Sequence, residues 1–313
     1  MTKWGLVATI KAKPEAILDF AAHHLDLGAH RLYLFLDAPC PEVLPLLKAH
    51  PKIRVTTCDD AYWKKLSGYR PKRHQARQGM NATRTYQRPP EVDWLAHIDV
   101  DEFLWPADSV AAQLAALPES VQSARMLPLE GLGGSRSHFR ARIPGDDATI
   151  AARLYPEFGH YLKGGFVSHV AGKVFARTGR DNVEIRIHNM FRDGEKDDSA
   201  VLPGLDLCHC HSGDWEKWRV TCRFRMDQGS YRAGLKPARS FLDGGLTLYQ
   251  VLSTVDEMEG ETGLRRFYDE ACADTPERRK AFEAEGLLRL RDLALEEKRQ
   301  RHFPQWRESV AKK

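Results

Sequence analysis

Val92-Asp93-Trp94-Leu95-Ala96-His97-Ile98-Asp99-Val100-Asp101-Glu102-Phe103-Leu104 runs from apolar residues into three carboxylates within four positions, then back into apolar ones. An apolar run of this length reads as a buried strand that delivers acids at its end. Carboxylates one residue apart on an extended chain point the same way, so Asp99 and Asp101 share a face. Two such charges repel unless a cation neutralises them, and hard oxygens suit Mg2+ or Mn2+. The same letters also suit an acidic loop or the first turn of a helix.

Upstream, residues 61–90 contain no acid but carry Lys64, Lys65, Arg70, Lys72, Arg73, Arg77, Arg84 and Arg88. Such a run is either a solvated face or, next to an acidic cluster, a phosphate-handling one. Further toward the N-terminus, Leu6–Ile10, Leu32–Leu36 and Ile53–Thr57 are strand-like. Between them, Ile17, Leu18, Ala21, Ala22 and Leu25 recur at helical spacing before a stop at Gly28, and a second helical stretch covers Val43–Lys48. Strands alternating with helices predict an α/β fold with a mainly parallel central sheet. Ligands of such sheets sit beyond the carboxyl ends of the strands, where Lys11, Asp37 and Asp59-Asp60 fall.

Downstream, a helix is expected over Ser109–Leu117 and strands over Val167–Val174, Val183–His188 and Leu205–His211. After about residue 245 the pattern turns helical, with amphipathic stretches at Leu264–Ala271 and Leu287–Leu295. The expected organisation is a nucleotide-sugar-binding domain over 1–240 and a helical C-terminal extension over 241–313.

A formal net charge of +4 on 313 residues does not announce a nucleic-acid binder. No apolar run approaches the ~18–20 residues that span a bilayer, and the first residues lack a signal-peptide pattern, so a cytoplasmic protein is expected. Six scattered cysteines suit reduced thiols better than a disulfide framework. In Cys208-His209-Cys210-His211 strand alternation puts thiols and imidazoles on opposite faces, which opposes a four-ligand zinc site. The segment 298–313 has six Lys or Arg around Phe303 and Trp306, a pattern that suits a soluble tail or a peripheral contact with an anionic inner-membrane face.

The stretch Trp94–Leu104 resembles the signature of glycosyltransferase family 2-like proteins of the GT-A fold, in which apolar residues after a tryptophan lead to Asp-x-Asp-Glu-Phe. Lys11, the pair Asp19-Phe20, His24 and Gly28 match the family's opening strand and helix, with Ala12 and Lys13 in place of its Asn-Glu. The similarity spans roughly residues 4–220. It implies that Lys11, Asp37, Gln78, Asn81, Asp99, Lys173 and Arg177 contact a nucleotide-sugar, with a UDP-sugar as the donor. It implies Mn2+ or Mg2+ on Asp99 and Asp101, with His209, or after it His188, completing the shell. It also implies inverting transfer to a hydroxyl of a glycan or glycolipid, for which Glu130, Asp181 and Asp206 are the candidate general bases. A metal-dependent phosphotransferase or nuclease would use similar carboxylates, but no Gly-x-x-x-x-Gly-Lys-Ser/Thr motif is present. A non-catalytic nucleic-acid-binding protein would explain only the basic run 61–90.

Overall fold

A computed structural model of the chain describes residues 1–227, 231, 237, 238, 240, 242 and 244–306. In chain order its first elements are β1 (Trp4–Ile10), α1 (Pro14–Asp26), β2 (Arg31–Leu36), α2 (Leu44–Ala49), β3 (Ile53–Thr57), α3 (Asp60–Ser67), α4 (His74–Gln87) and β4 (Trp94–His97). There follow β5 (Glu102–Pro106), α5 (Val110–Ala115), β6 (Ser123–Gly131), β7 (His138–Arg140), α6 (Ala148–Leu154), β8 (Lys173–Arg177), β9 (Val183–Ile185), β10 (Met190–Arg192) and β11 (Glu195–Lys196). The last are β12 (Ala200–His209), α7 (Trp215–Asp227), α8 (Leu248–Ala271), α9 (Pro276–Ala284), β13 (Leu288–Leu290) and α10 (Leu295–His302). The fold is mixed α/β, with a central sheet whose four-strand core is parallel. No helix among the described residues is long and apolar enough to cross a membrane.

The chain forms two compact units. One comprises Met1–Leu127, Ala171–Leu207 and Leu293–Lys313, the other Pro128–Val170 and Cys208–Asp292. The expected boundary at residues 240 and 241 falls inside the second unit, and the C-terminal residues return to the first.

In the first unit, β3-β2-β1-β4 are neighbours in that order and all parallel. Strands buried on both faces need apolar residues at every position, and β1 is buried throughout. Gly5 of β1 is required by close approach, since a Cβ there would lie 2.7 Å from the carbonyl oxygen of Arg31 on β2. β8 adds antiparallel to β4, and residues 123–126 of β6 add antiparallel to β8. Val7, Leu95, Val174 and Ala176 from the sheet pack with Trp63 of α3 and with Ala82 and Tyr86 of α4. On α1, Pro14 opens the helix, and Gly28 (φ 90°) follows its end.

In the second unit, residues 130–131 of β6 pair antiparallel with β7, which pairs antiparallel with β13. Its core joins Trp218 of α7, Leu252, Phe267 and Tyr268 of α8 and Phe282 of α9. The stretch 287–295, expected as a helix, is instead an edge strand and a loop. α9 stops because Gly286 (φ 66°) donates to the Glu283 carbonyl and Leu287 to that of Phe282, the paired bonds of a glycine-terminated helix end. In the first unit, β8 starts only at Lys173, so the strand-like letters from Val167 to Gly172 form bends and loop.

Candidate functional site

The carboxyl ends of β1, β2, β3 and β4 share one edge of the first unit, because the strands are parallel. Asp37 N–H continues the ladder to the Ile10 carbonyl at 2.8 Å, and Cys58 N–H reaches that of Leu36 at 2.8 Å. Strand order reverses between β1 and β4, and ligand crevices of open α/β sheets lie outside such a reversal.

Asp99, Val100 and Asp101 do not extend β4 but form a tight turn into β5. Glu102 N–H donates to the Asp99 carbonyl at 3.0 Å, and Asp99 N–H donates back to the Glu102 carboxylate at 2.7 Å. Asp99 and Asp101 therefore sit in a turn and not at successive positions of an extended strand. Glu102 is fully buried, while Asp99 and Asp101 are half-buried. The turn is anchored by Phe103, which packs on α1 with its ring 5.3 Å from His23 and 6.0 Å from His24.

The Asp99 carboxylate has two partners. Gln78 donates its amide to one oxygen, and the Lys173 ammonium lies 2.6 Å from the other. Lys173 Nζ is also 3.4 Å from Glu102. Burial of Lys173 pulls its pKa down, but Asp99 and Glu102 outweigh that and leave it raised. His97, two residues before Asp99, is 2% exposed, and neither ring nitrogen has a hydrogen-bond partner among the described residues. Burial, then the Lys173 charge, pushes it down to about 4, so it is neutral near pH 7. Asp99, Asp101 and Glu102 follow one another in this turn, and carboxylate oxygens are the ligand type that hard divalent cations take.

Asp37 lies under a cap of two arginines and a histidine. Arg70 Nη2 reaches it at 2.9 Å, Arg77 Nε at 2.8 Å and His74 Nδ1 at 3.3 Å. Its burial would raise the carboxyl pKa, but His74, Arg77 and Arg70 hold it below the ordinary value. Asp37 thus places positive charge at the edge and presents no open carboxylate. Gln78 and Asn81 lie on the same face of α4, three residues apart. Asn81 donates to the Thr9 hydroxyl at 2.9 Å and accepts from Tyr62 at 2.5 Å, so it braces β1 against α3. Lys11 is exposed, just past the end of β1.

Arg177 stands at the opposite edge. It pairs with Trp94, the first residue of β4, and stands four positions along β8 from Lys173, roughly 13 Å at strand spacing. Its guanidinium lies 4.3 Å from the centre of the Trp94 ring and donates to the Val121 and Pro118 carbonyls at 2.9 Å each. A diphosphate at the carboxyl edge is out of its reach. His188 does lie beside the Lys173 segment, with Nδ1 2.9 Å from the Gly172 carbonyl. In that bond Nδ1 donates, since a carbonyl oxygen can only accept. Arg125 fixes the same loop through the Ala171 and His188 carbonyls at 2.7 and 3.0 Å.

In the second unit, His209 is buried, with His169 and His211 rings each 5.0 Å from its own. Glu130 is fully buried there and accepts from Arg140, from Ser168 N–H at 2.6 Å and from Val167 N–H at 3.1 Å. Burial raises its carboxyl pKa, but Arg140, Ser168 and Val167 prevail and hold it below the ordinary range. A general base needs the opposite shift and access to a hydroxyl, so Glu130 is a structural acid. Asp206 is half-buried on β12 and Asp181 exposed before β9, both in the first unit.

Arg70 was legible only as a member of the basic run, and His74 was not singled out; its i, i+3 relation to Arg77 on α4 was the signal that those two converge. His97 gave no signal, because one histidine in an apolar strand reads as core.

No model of a known protein family matches the chain, and no curated protein matches it. Among solved structures it is similar to HddC from Yersinia pseudotuberculosis, at 11% identity over 67% of this chain and 77% of that one, with a TM-score of 0.28. A likeness at that level carries no argument.

Proposed function

We propose that the chain is a nucleotide-sugar-dependent glycosyltransferase of GT-A type that uses Mn2+ or Mg2+ and transfers a sugar, with inversion, to a hydroxyl of a glycan or glycolipid. The observation that supports it most is the acidic turn Asp99-Val100-Asp101-Glu102 at the carboxyl end of β4, beside the reversal of strand order.

The leaving group is a nucleoside diphosphate whose charge grows as the glycosidic bond breaks, and a bound divalent cation supplies the electrostatic stabilisation it needs. Asp101 is the principal carboxylate for that cation. Asp99 shares its charge with Lys173, and Gln78 fixes its orientation. His188 lies in the same unit as Asp99 and Asp101, beside the Lys173 segment. Arg70 and Arg77 add positive charge where the donor's phosphates or ribose would approach. Asp206 and Asp181 are the remaining acids for deprotonating the acceptor hydroxyl.

The test is a thermal-shift panel of nucleoside diphosphates with and without Mn2+. A nucleotide at ~100 times its dissociation constant stabilises the native state by about 2.7 kcal/mol. Uridine diphosphate with Mn2+ is expected to raise the melting temperature, and Asp101→Ala to abolish that rise without lowering the melting temperature of the free protein. If no nucleoside diphosphate stabilises the protein in either condition, the reading fails.

A further inference from the structure

Residues 61–90 carry eight Lys or Arg and no acid, while the whole chain carries only +4, so the rest of the molecule is net negative. Three of the eight are engaged inside the first unit. Arg70 and Arg77 hold Asp37, and the Arg84 guanidinium lies 5.6 Å from the centre of the Tyr62 ring. Lys64 and Lys65 in the last turn of α3, and Lys72 and Arg73 just before α4, are exposed and make no ion pair among the described residues. Between them Tyr69 is 68% exposed.

The backbone under these side chains is pinned. Gly68 (φ 79°) ends α3 by donating to the Lys64 carbonyl at 3.0 Å, and Ser67 Oγ donates to the Tyr69 carbonyl at 2.6 Å. Arg77 Nη1 donates to the Pro71 and Lys72 carbonyls at 2.6 and 2.9 Å, and Arg70 Nη2 to that of Asp37 at 2.7 Å. The connection 68–73 is thus fixed at the carboxyl edge of β2, the edge that bears the acidic turn, while four charges and one ring stay in solvent. Little ordering remains to be done when a partner arrives.

We propose that this connection and the end of α3 dock the first unit on a lipid surface of negative charge. Anionic headgroups attract Lys and Arg within about one Debye length, and a tyrosine suits the headgroup level because its ring is apolar and its hydroxyl polar. The net negative remainder of the molecule is repelled by the same surface, which selects this orientation. A single-stranded nucleic acid takes a series of stacking rings, but Trp63 is buried and Tyr62 is engaged with Asn81 and Arg84, so Tyr69 stands alone. The basic residues of α10 are different, since Arg299 and Arg301 already face Asp19 and Asp26. The contact does not depend on which reaction the site performs.

The test sediments the full chain with vesicles of phosphatidylcholine alone, and of phosphatidylcholine and phosphatidylglycerol in equal parts, at low and high salt. The wild type is expected to pellet with the mixed vesicles at low salt, to be released by high salt, and to ignore the neutral ones. Each Lys or Arg at such a surface raises partitioning about fivefold, so Lys72→Gln with Arg73→Gln is expected to weaken binding roughly tenfold or more, and adding Lys64→Gln and Lys65→Gln to weaken it about a hundredfold or more. Tyr69→Ser is expected to weaken it several-fold. None of these side chains is buried, so the variants are expected to keep the wild-type melting temperature. A wild type that stays in solution with the mixed vesicles overturns the proposal. So does a folded four-residue variant that pellets like the wild type, because the contact would then lie elsewhere. Binding to a duplex oligonucleotide that persists at a salt concentration releasing the vesicles, and is lost in the same variant, would make this a nucleic-acid surface and overturn the lipid one.

Discussion

Glu130 and Arg140 face each other across β6 and β7, and each is almost completely out of water. Arg140 also donates to the Ala271 carbonyl at 2.6 Å, so this one pair ties β6 and β7 to the end of α8. Removing one member leaves the other as an uncompensated buried charge, at a cost of about 3–5 kcal/mol, whereas replacing both by apolar residues is often nearly neutral. Glu130→Leu is therefore expected to lower the melting temperature sharply, and Glu130→Leu with Arg140→Met to recover much of the loss. Uridine diphosphate binding should survive in the double variant. A Glu130→Gln protein of wild-type stability that had lost only turnover would instead return Glu130 to the role of general base.

Among the elements, those whose buried face is apolar were readable from the sequence. β2 is almost wholly such a run, β3 shows Ile53 and Val55 alternating with polar residues, and the buried positions of α1 fall at helical spacing. The basic run 61–90 hides α3 and α4 for a physical reason: the buried face of α4 is Gln78, Asn81, Ala82, Thr85 and Tyr86, largely polar and satisfied by hydrogen bonds, so apolar periodicity has nothing to detect. The acids of the turn were legible by type and spacing, but their partner Lys173 is 74 residues away from Asp99, and only the pairing of β8 with β4 brings the two together. α10 is a further case. Its charges suggested a membrane-facing tail, yet Arg299 reaches Asp19 and Arg301 reaches Asp26, each at 2.5 Å, and Phe303 beyond it is buried. Basic residues already paired with α1 are poorly placed to meet a lipid surface. Residues 307–313 lie outside those described. Truncation after Glu297 is accordingly expected to lower the melting temperature, and Phe303→Ala alone to cost about 3–5 kcal/mol. Intact protein that sediments with anionic vesicles in a salt-sensitive way, while the truncated protein keeps full stability and does not sediment, would restore the membrane reading.

At the scale of the whole molecule, stability in mild acid is set by histidines that the fold keeps neutral. His23 is buried, with Nε2 2.7 Å from the Leu104 carbonyl and Nδ1 3.2 Å from the Lys298 ammonium, so a second ring proton would meet a positive charge. Burial, then Lys298, lowers it from 6.5 to about 4, as burial and Lys173 do for His97. His24 is shifted the same way, by burial and by His23. The unfolded chain binds protons on the His23 and His97 rings once the pH drops below about 6.5, while the folded chain refuses them until about 4. Their contribution is thus fully present above pH 6.5, shrinks as the pH falls from 6.5 to 4, and levels off below that. Each ring contributes a slope of up to ~1.4 kcal/mol per pH unit, so His23 and His97 together remove about 3 kcal/mol per unit in the middle of that window. Set against a total stability of ~5–15 kcal/mol, that is enough to unfold the protein before most carboxylates titrate. Asp26, Asp37 and Glu130, held below their ordinary values by Arg or His partners, weaken the fold only at still lower pH. Denaturant unfolding at pH 7, 6 and 5 is expected to show a steep loss of stability. In His23→Gln, whose amide can still donate to Leu104, the slope should fall by about one proton. Unfolding free energies that stay level from pH 7 to 5 would show that these rings accept protons in the folded state as readily as in the unfolded one.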